Sequence, residues 1–289
     1  MASAVQSGVA HLLTARGFDV DTDRNGSTCV WWSLYTQGSG CAFNARFTGF
    51  DDQISTLLSE GEIETAAMLR ILVDEGDGSI RCTIKQSGSY YHENSMDVDI
   101  EVDQTAFDED EPLGQKFARF SAKARDWLQT DLHSAIKARV QQASMEAHRL
   151  LSDLYLIPVH EPEELWSFTT KRFRVKVELA PPCEDRCSFD DYWDGMEPED
   201  VLRMMRLVRD ADHGSYQAGD IIATLEVWDE DVEDFEEALT WPYSGGVYGP
   251  DDPAYLKKCA YEAARELIAQ AREQLGLEKN QPIELPMAA

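Results

Sequence analysis

The sequence predicts an α+β fold with small mixed or antiparallel sheets, packed helices and one long connecting helix. Three observations lead there. Short runs that alternate apolar and polar residues, such as FRVKVEL and DIIATLEVW, read as half-buried strands. Longer runs with apolar residues three and four apart read as helices. The chain has 289 residues, 43% of them hydrophobic, which is enough to bury one large core or two ordinary ones. The organisation expected is an N-terminal α/β part over 1–111, a long linking helix over 112–154 and a C-terminal α/β part over 155–289.

From the N-terminus, Val5 to Ala15 reads as a helix closed by Gly17. DTDRNGST is turn material. CVWWSLY and CAFNARF form a hairpin through TQGSG, with Tyr35 expected opposite Cys41 and no Cys29–Cys41 bridge. FDDQISTLL reads as a helix, and MLRILVDE and SIRCTIKQ as two strands around EGDG. DVDIEVD alternates Val98, Ile100 and Val102 against Asp97, Asp99, Glu101 and Asp103, a row of acids about 7 Å apart on one strand face.

Leu113, Phe117, Phe120, Ala124, Trp127, Leu128, Leu132, Ile136 and Val140 keep helical phase, predicting one helix of about 45 Å or more. After IPVHEPEE, FRVKVEL is a strand, PPCEDRCSFDDYWDGM an acidic loop, EPEDVLRMMRLVRDA a helix and DIIATLEVW a strand. DEDVEDFEEAL is expected as a short helix, with Val232, Phe235 and Leu239 inward and Glu230, Glu233, Asp234 and Glu237 outward. WPYSGGVYGPDDP reads as a loop into a last helix capped by Asp252, with Pro253 in its first turn.

Charge dominates the functional reading. The net charge is −28, which opposes a surface that grips nucleic acid directly. Residues 97–111 hold eight acids, 184–200 hold eight with Arg186, and 220–237 hold nine; together they carry −24 and leave −4 to the other 239 residues. Salt adaptation would spread acids over every solvent face, whereas three runs suggest placement. A folded monomer of this mass exposes roughly 12,000 Å², so −28 spread evenly is about one charge per 440 Å². Duplex DNA carries about one per 110 Å². Gathered on one side, the three runs would match that density over roughly 2,600 Å², an interface-sized area.

The expected partner is therefore a basic host or defence protein, the chain acting as an inhibitor or DNA-mimic decoy of a nucleic-acid-binding enzyme. A structural or adaptor role and a metal-dependent hydrolase or nuclease are the alternatives. The expected surface comprises Asp97, Asp99, Glu101, Asp103, Asp190, Asp191, Asp194, Glu230, Glu233, Asp234 and Glu237. Tyr192, Trp193 and Trp228 are its aromatic anchors, although Trp228 and Phe235 also suit a core.

Asp21, Asp23 and Asn25 occupy positions 1, 3 and 5 of a calcium-loop pattern with Gly26 at position 6, but position 12 is Trp32 and a plain polar turn is the simpler reading. Cys183 and Cys187 lack a second close pair, and Ser188, with Asp190, Asp191 and His213, lacks a base in its own motif. No HExxH, GxxxxGK[ST] or GxSxG occurs, and no cofactor is expected. The start lacks signal-peptide features and no stretch approaches a membrane span, so a cytoplasmic protein with reduced thiols is expected, with self-association open.

The segment SGGVYGPDDPAYLKKCAYEAARELIAQAREQLG resembles a C-terminal pattern of uncharacterised acidic phage and mobile-element proteins, in which a glycine pair and an aromatic lead into an acidic turn and a "YL" helix. It spans residues 244–276, with Val247-Tyr248 where the pattern prefers Leu-Trp. The resemblance implies accessory phage biology, which would place the protein in a host cytoplasm, and no catalytic residue.

Overall fold

The computed structural model describes residues 3–32, 41–75, 79–87, 96–108, 110–152, 154, 157–182, 189–210, 216–249 and 253–274. They form an α+β fold in two compact units, one of residues 1–154 and 195–206, the other of residues 155–194 and 207–289.

The first unit opens with α1 (Ala4–Ala15). Ser3 and Gln6 form a reciprocal capping box at its start, and Val5, Val9, Leu12 and Leu13 face the core. Gly17 ends it at φ +83, where a Cβ would stand 2.4 Å from the Gly49 Cα, so only glycine fits. A four-stranded antiparallel sheet follows the order β1 (Phe18–Val20), β4 (Ala45–Phe47), β5 (Ile80–Gln86), β6 (Met96–Val102). The expected hairpin is present as β2 (Val30–Trp32) against β3 (Cys41–Phe43), but its register puts Trp32, not Tyr35, opposite Cys41. Tyr35 lies outside the described residues. Phe18, Phe43, Phe47 and Phe50 meet at 4.9–5.3 Å in the core, Phe18 on Phe43 and Phe47 on Phe50 edge-on and Phe18 on Phe47 tilted.

Two sequence expectations fail here for physical reasons. MLRILVDE is not a strand; it belongs to α3 (Ile63–Asp74), which follows α2 (Phe50–Ser59). Read from residue 63 onward, Thr65, Met68, Leu69 and Leu72 recur at helical spacing and are buried. The long linking helix is three helices inside the first unit: α4 (Pro112–Phe117), α5 (Ala122–Thr130) and α6 (Leu132–Ser152). Ser121 breaks it, its side chain accepting from the Ala124 N–H as an N-cap. The apolar stripe stays in phase across the breaks because all three helices bury one face. On α6, Leu132, Ile136, Val140, Ala143, Ala147 and Leu150 form that face, and Ser144 Oγ accepts from the Cys41 N–H at 3.0 Å.

In the second unit the sheet order is β11 (Asp234–Tyr248), β10 (Gln217–Asp229), β9 (Phe173–Ala180), β8 (Glu163–Thr169), all antiparallel, with the short β7 (Ile157–Pro158) running parallel to the start of β10. One face carries Val175, Val177, Leu179, Ile221, Ala223 and Leu225 against α9 (Pro253–Gln274), whose stripe is Ala260, Ala263, Ala264 and Leu267. Asp252, the expected cap, lies outside the described residues. The helices α7 (Phe189–Trp193) and α8 (Pro198–Asp210) complete the chain; α8 gives its residues up to Arg206 to the first unit, where Val201 and Met205 lie against Gly8.

The expected acidic helix at 229–239 is instead the turn and second strand of the β10–β11 hairpin, and the expected loop at 241–248 continues that strand. As a helix, Asp229/Glu233, Glu230/Asp234 and Glu233/Glu237 would stack like charges four apart. As a strand, the segment pairs with β10 through its backbone and sends successive acids to opposite faces. No helix among the described residues is long and apolar enough to cross a membrane.

Candidate interaction surface

The β10–β11 hairpin concentrates the acids. At its end Asp229 lies opposite Asp234, Trp228 opposite Phe235, Val227 opposite Glu236 and Glu226 opposite Glu237. The turn is held by carboxylate caps: Asp229 Oδ1 accepts from the Asp231 N–H and Asp234 Oδ1 from the Phe235 N–H, each at 2.7 Å. Glu233 sits at φ 55, the left-handed conformation that closes the turn. Residues 229–237 hold seven acids and no base; Glu230, Asp231, Glu233, Asp234, Glu236 and Glu237 are all exposed. These carboxylates face water rather than a helix surface, and Val232, expected inward, is 59% exposed.

Aromatic residues flank this charge. Trp228, which also suited a core on sequence, is 38% exposed and meets Phe235 edge-on at 5.3 Å. On the other face Phe168, half exposed, meets Phe173 at 6.2 Å. Arg174 is the residue the sequence reading missed. Its guanidinium lies 4.9 Å from the Phe235 ring centre and donates through Nε to Glu226, whose hydrogen bond holds the guanidinium pKa above its ordinary value. The alternation of FRVKVEL contained the signal: with Val175 and Val177 in the core, Arg174 and Lys176 face away beside Glu226 and Thr224. The acidic run is thus neutralised at its base and bare at its tip.

The first run behaves differently. Asp97, Asp99 and Glu101 are exposed on one face of β6, but they stand opposite Lys85, Thr83 and Arg81 of β5. Two cations therefore interleave three acids. Asp103 does not extend the row; it lies past the strand end, where its carboxylate accepts from the Thr105 N–H at 2.9 Å and caps the 3₁₀ turn Gln104–Phe107. The other edge of β6 is covered in part by His133, whose ring nitrogen lies 3.0 Å from the Val98 carbonyl oxygen.

In the middle run, Asp190, Asp191 and Tyr192 lie on α7, with Asp190 and Tyr192 half-buried and Asp194 exposed just beyond it. Trp193 is a correction: at 2% exposure, 4.5 Å from the Phe189 ring, it is a core residue and no interface anchor. Cys183, Cys187, Ser188 and His213 lie outside the described residues.

The Asp21–Thr28 segment is a tight turn closed by a Thr22–Thr28 bridge. Asp23 Oδ1 accepts from the Asn25 and Ser27 N–H groups, both at 2.8 Å, and the Asp21 carbonyl accepts from the Cys29 N–H. One carboxylate oxygen of Asp23 thus holds the backbone in the manner of an Asx turn. Among the described residues no group of three or more His, Cys, Asp or Glu converges as a metal site.

Residues 2–155 match the model of a domain of unknown function, DUF8835. The chain belongs to this family. The match ends within a residue of the point where the first stretch of the first unit ends, so the acidic hairpin of the second unit lies outside the DUF8835 region. No curated protein and no solved structure matches the chain.

Proposed function

We propose that this DUF8835 member is an acidic interaction protein whose β10–β11 hairpin end docks on a basic surface of a protein partner. The observation that carries the reading is the run of seven carboxylates without a base over residues 229–237, beside the exposed ring of Trp228. Three residue steps of strand plus the turn make the hairpin end roughly 15 Å long. With Glu226 offset by Arg174, the seven remaining charges amount to about one per 2 Å, against one per 1.7 Å of duplex axis.

A nucleic-acid-binding enzyme of a host or defence system therefore offers the partner surface of matching charge spacing, and the phage-like resemblance of residues 244–276 favours the same class. The scale is smaller than the sequence suggested. Interleaved Arg81 and Lys85 weaken the first run as a duplex-like array, so the decoy reading narrows to one hairpin able to fill one basic pocket. Charge of this kind raises the association rate and selects the partner, while Trp228 supplies buried apolar area.

The test is capture from a native-host lysate along a salt series, with duplex DNA as competitor. A basic partner released by salt and by DNA supports the reading, and Glu230→Lys, Glu233→Lys, Asp234→Lys and Glu237→Lys together should abolish its capture. Only neutral or acidic partners, indifferent to salt, would sink the proposal. So would undiminished capture by the reversed variant.

A further inference from the structure

A cleft of about 220 Å³ lies in the first unit between α5 on one side and the 3₁₀ turn Gln104–Phe107 with α4 on the other. Phe107 and Phe117 give it apolar walls, and Arg125, Asp126 and Gln129 give it polar groups. Gly114 lets α4 lie against the 3₁₀ turn and so build one wall: a Cβ there would fall 1.8 Å from the Asp108 carbonyl oxygen. Apolar walls with a few convergent polar groups are the ordinary make-up of a small-ligand site.

Arg125 is the unusual member. In this acidic chain Arg16, Arg70, Lys116 and Lys123 each reach a carboxylate. Among the described residues Arg125 reaches none, and its buried Nε finds no hydrogen-bond partner there. A buried donor on a cation is costly without an acceptor. Nε is shut off from solvent, so a ligand in the cleft meets the two Nη atoms, whose paired donors match a carboxylate.

We propose that this cleft binds a small monocarboxylate with an apolar body, its carboxylate on Arg125 and its body against Phe107 and Phe117. Asp126, exposed and lining the same cleft, disfavours a dianion more than a monoanion and so selects against free phosphate. The cleft lies wholly within residues 2–155, which makes it a feature of the DUF8835 part of the chain and independent of the hairpin.

The experiment titrates benzoate into the full chain in about 0.15 M salt, which shortens the reach of the net negative field to about 8 Å. Amide shifts over residues 106–129 are followed by NMR, with inorganic phosphate as a parallel arm. Saturable benzoate shifts confined to the cleft, with a dissociation constant on the order of millimolar, are expected. Arg125→Gln should weaken binding at least roughly ten-fold and Arg125→Lys less, since lysine keeps the charge and loses the fork. Absence of saturable shifts in the unaltered chain up to about 20 mM overturns the proposal. Undiminished binding by Arg125→Gln with unchanged circular dichroism also overturns it, as does phosphate binding as tight as benzoate. If Arg125→Gln fails to fold, the titrations of the unaltered chain and Arg125→Lys decide.

Discussion

Replacing Asp229 and Asp234 by Asn, and Glu233 and Glu237 by Gln, should make the second unit more stable. Each replacement keeps an acceptor oxygen, so the Asp229 and Asp234 turn caps and the Thr240 hydroxyl bond to Glu237 survive. What is removed is repulsion. Asp229 stands opposite Asp234 and Glu226 opposite Glu237, with further acids at Glu230, Asp231 and Glu236. Side chains directly opposite on paired strands are about 5.5 Å apart, where two like charges in water repel by about 0.7 kcal/mol. Screening at 0.15 M salt roughly halves this. Four or five near pairs then give about 1.5–2 kcal/mol, less whatever Arg174 already offsets at Glu226. In 1 M salt, with a Debye length of about 3 Å, the gain should shrink to a few tenths. Urea unfolding followed by tryptophan fluorescence at both salts reads it. A variant that loses stability, or whose gain is indifferent to salt, would show that mutual repulsion of these carboxylates does not strain the hairpin.

Gly17→Ala should destabilise the first unit by at least about 3 kcal/mol, since the residue sits at φ +83 and its methyl would meet Gly49 backbone at 2.4 Å; a thermal melt within a few degrees of the parent would contradict this. Leu267→Ala, at a fully buried site between α9 and the second sheet, should cost about 2–5 kcal/mol and lower the urea midpoint without changing the first unit's hydrogen-exchange protection. Stability should also fall in alkali. Burial pushes the thiols of Cys41 and Cys82 up to about 12, against 9.0 in the unfolded chain, and that of the Tyr248 phenol to about 12 against 10.0. Between pH 9 and 12 the unfolded chain releases protons that the folded chain keeps, so the stability these groups contribute is intact below pH 9 and is lost as pH climbs towards 12. Cys41→Ala should flatten that decline in a urea-midpoint series, and an unchanged slope would argue against a buried neutral thiol at 41.

The elements most legible in the sequence were those whose signal is local. Gly17 as a helix stop, the Val175/Val177/Leu179 alternation and the Ala260–Leu267 stripe each depend on a few neighbouring residues, and each stands where expected. The errors arose where tertiary pairing outweighs local pattern. DEDVEDFEE has helix-like spacing of Val232, Phe235 and Leu239, yet β10 extends to Asp229 and offers a ladder that the segment completes as a strand. The apolar phase from Leu113 to Val140 is real, but it does not reveal that Ser121 halts the backbone while the stripe continues in a new helix. The acidic site was legible in its residues and not in its surroundings. Arg81, Lys85 and Arg174 lie 12 to 52 positions from the acids they temper, and only strand register brings them alongside.

The return of residues 195–206 to the first unit gives that unit a stretch of chain from well beyond its family match. Val201 and Met205, both shielded from water, cover the α1 ridge at Gly8, although they lie 46 and 50 residues past the end of the DUF8835 match at residue 155. A chain cut after residue 155 would therefore bare a greasy strip on its opening helix. Transplanting the family module intact means carrying that late peptide along or supplying a substitute for it.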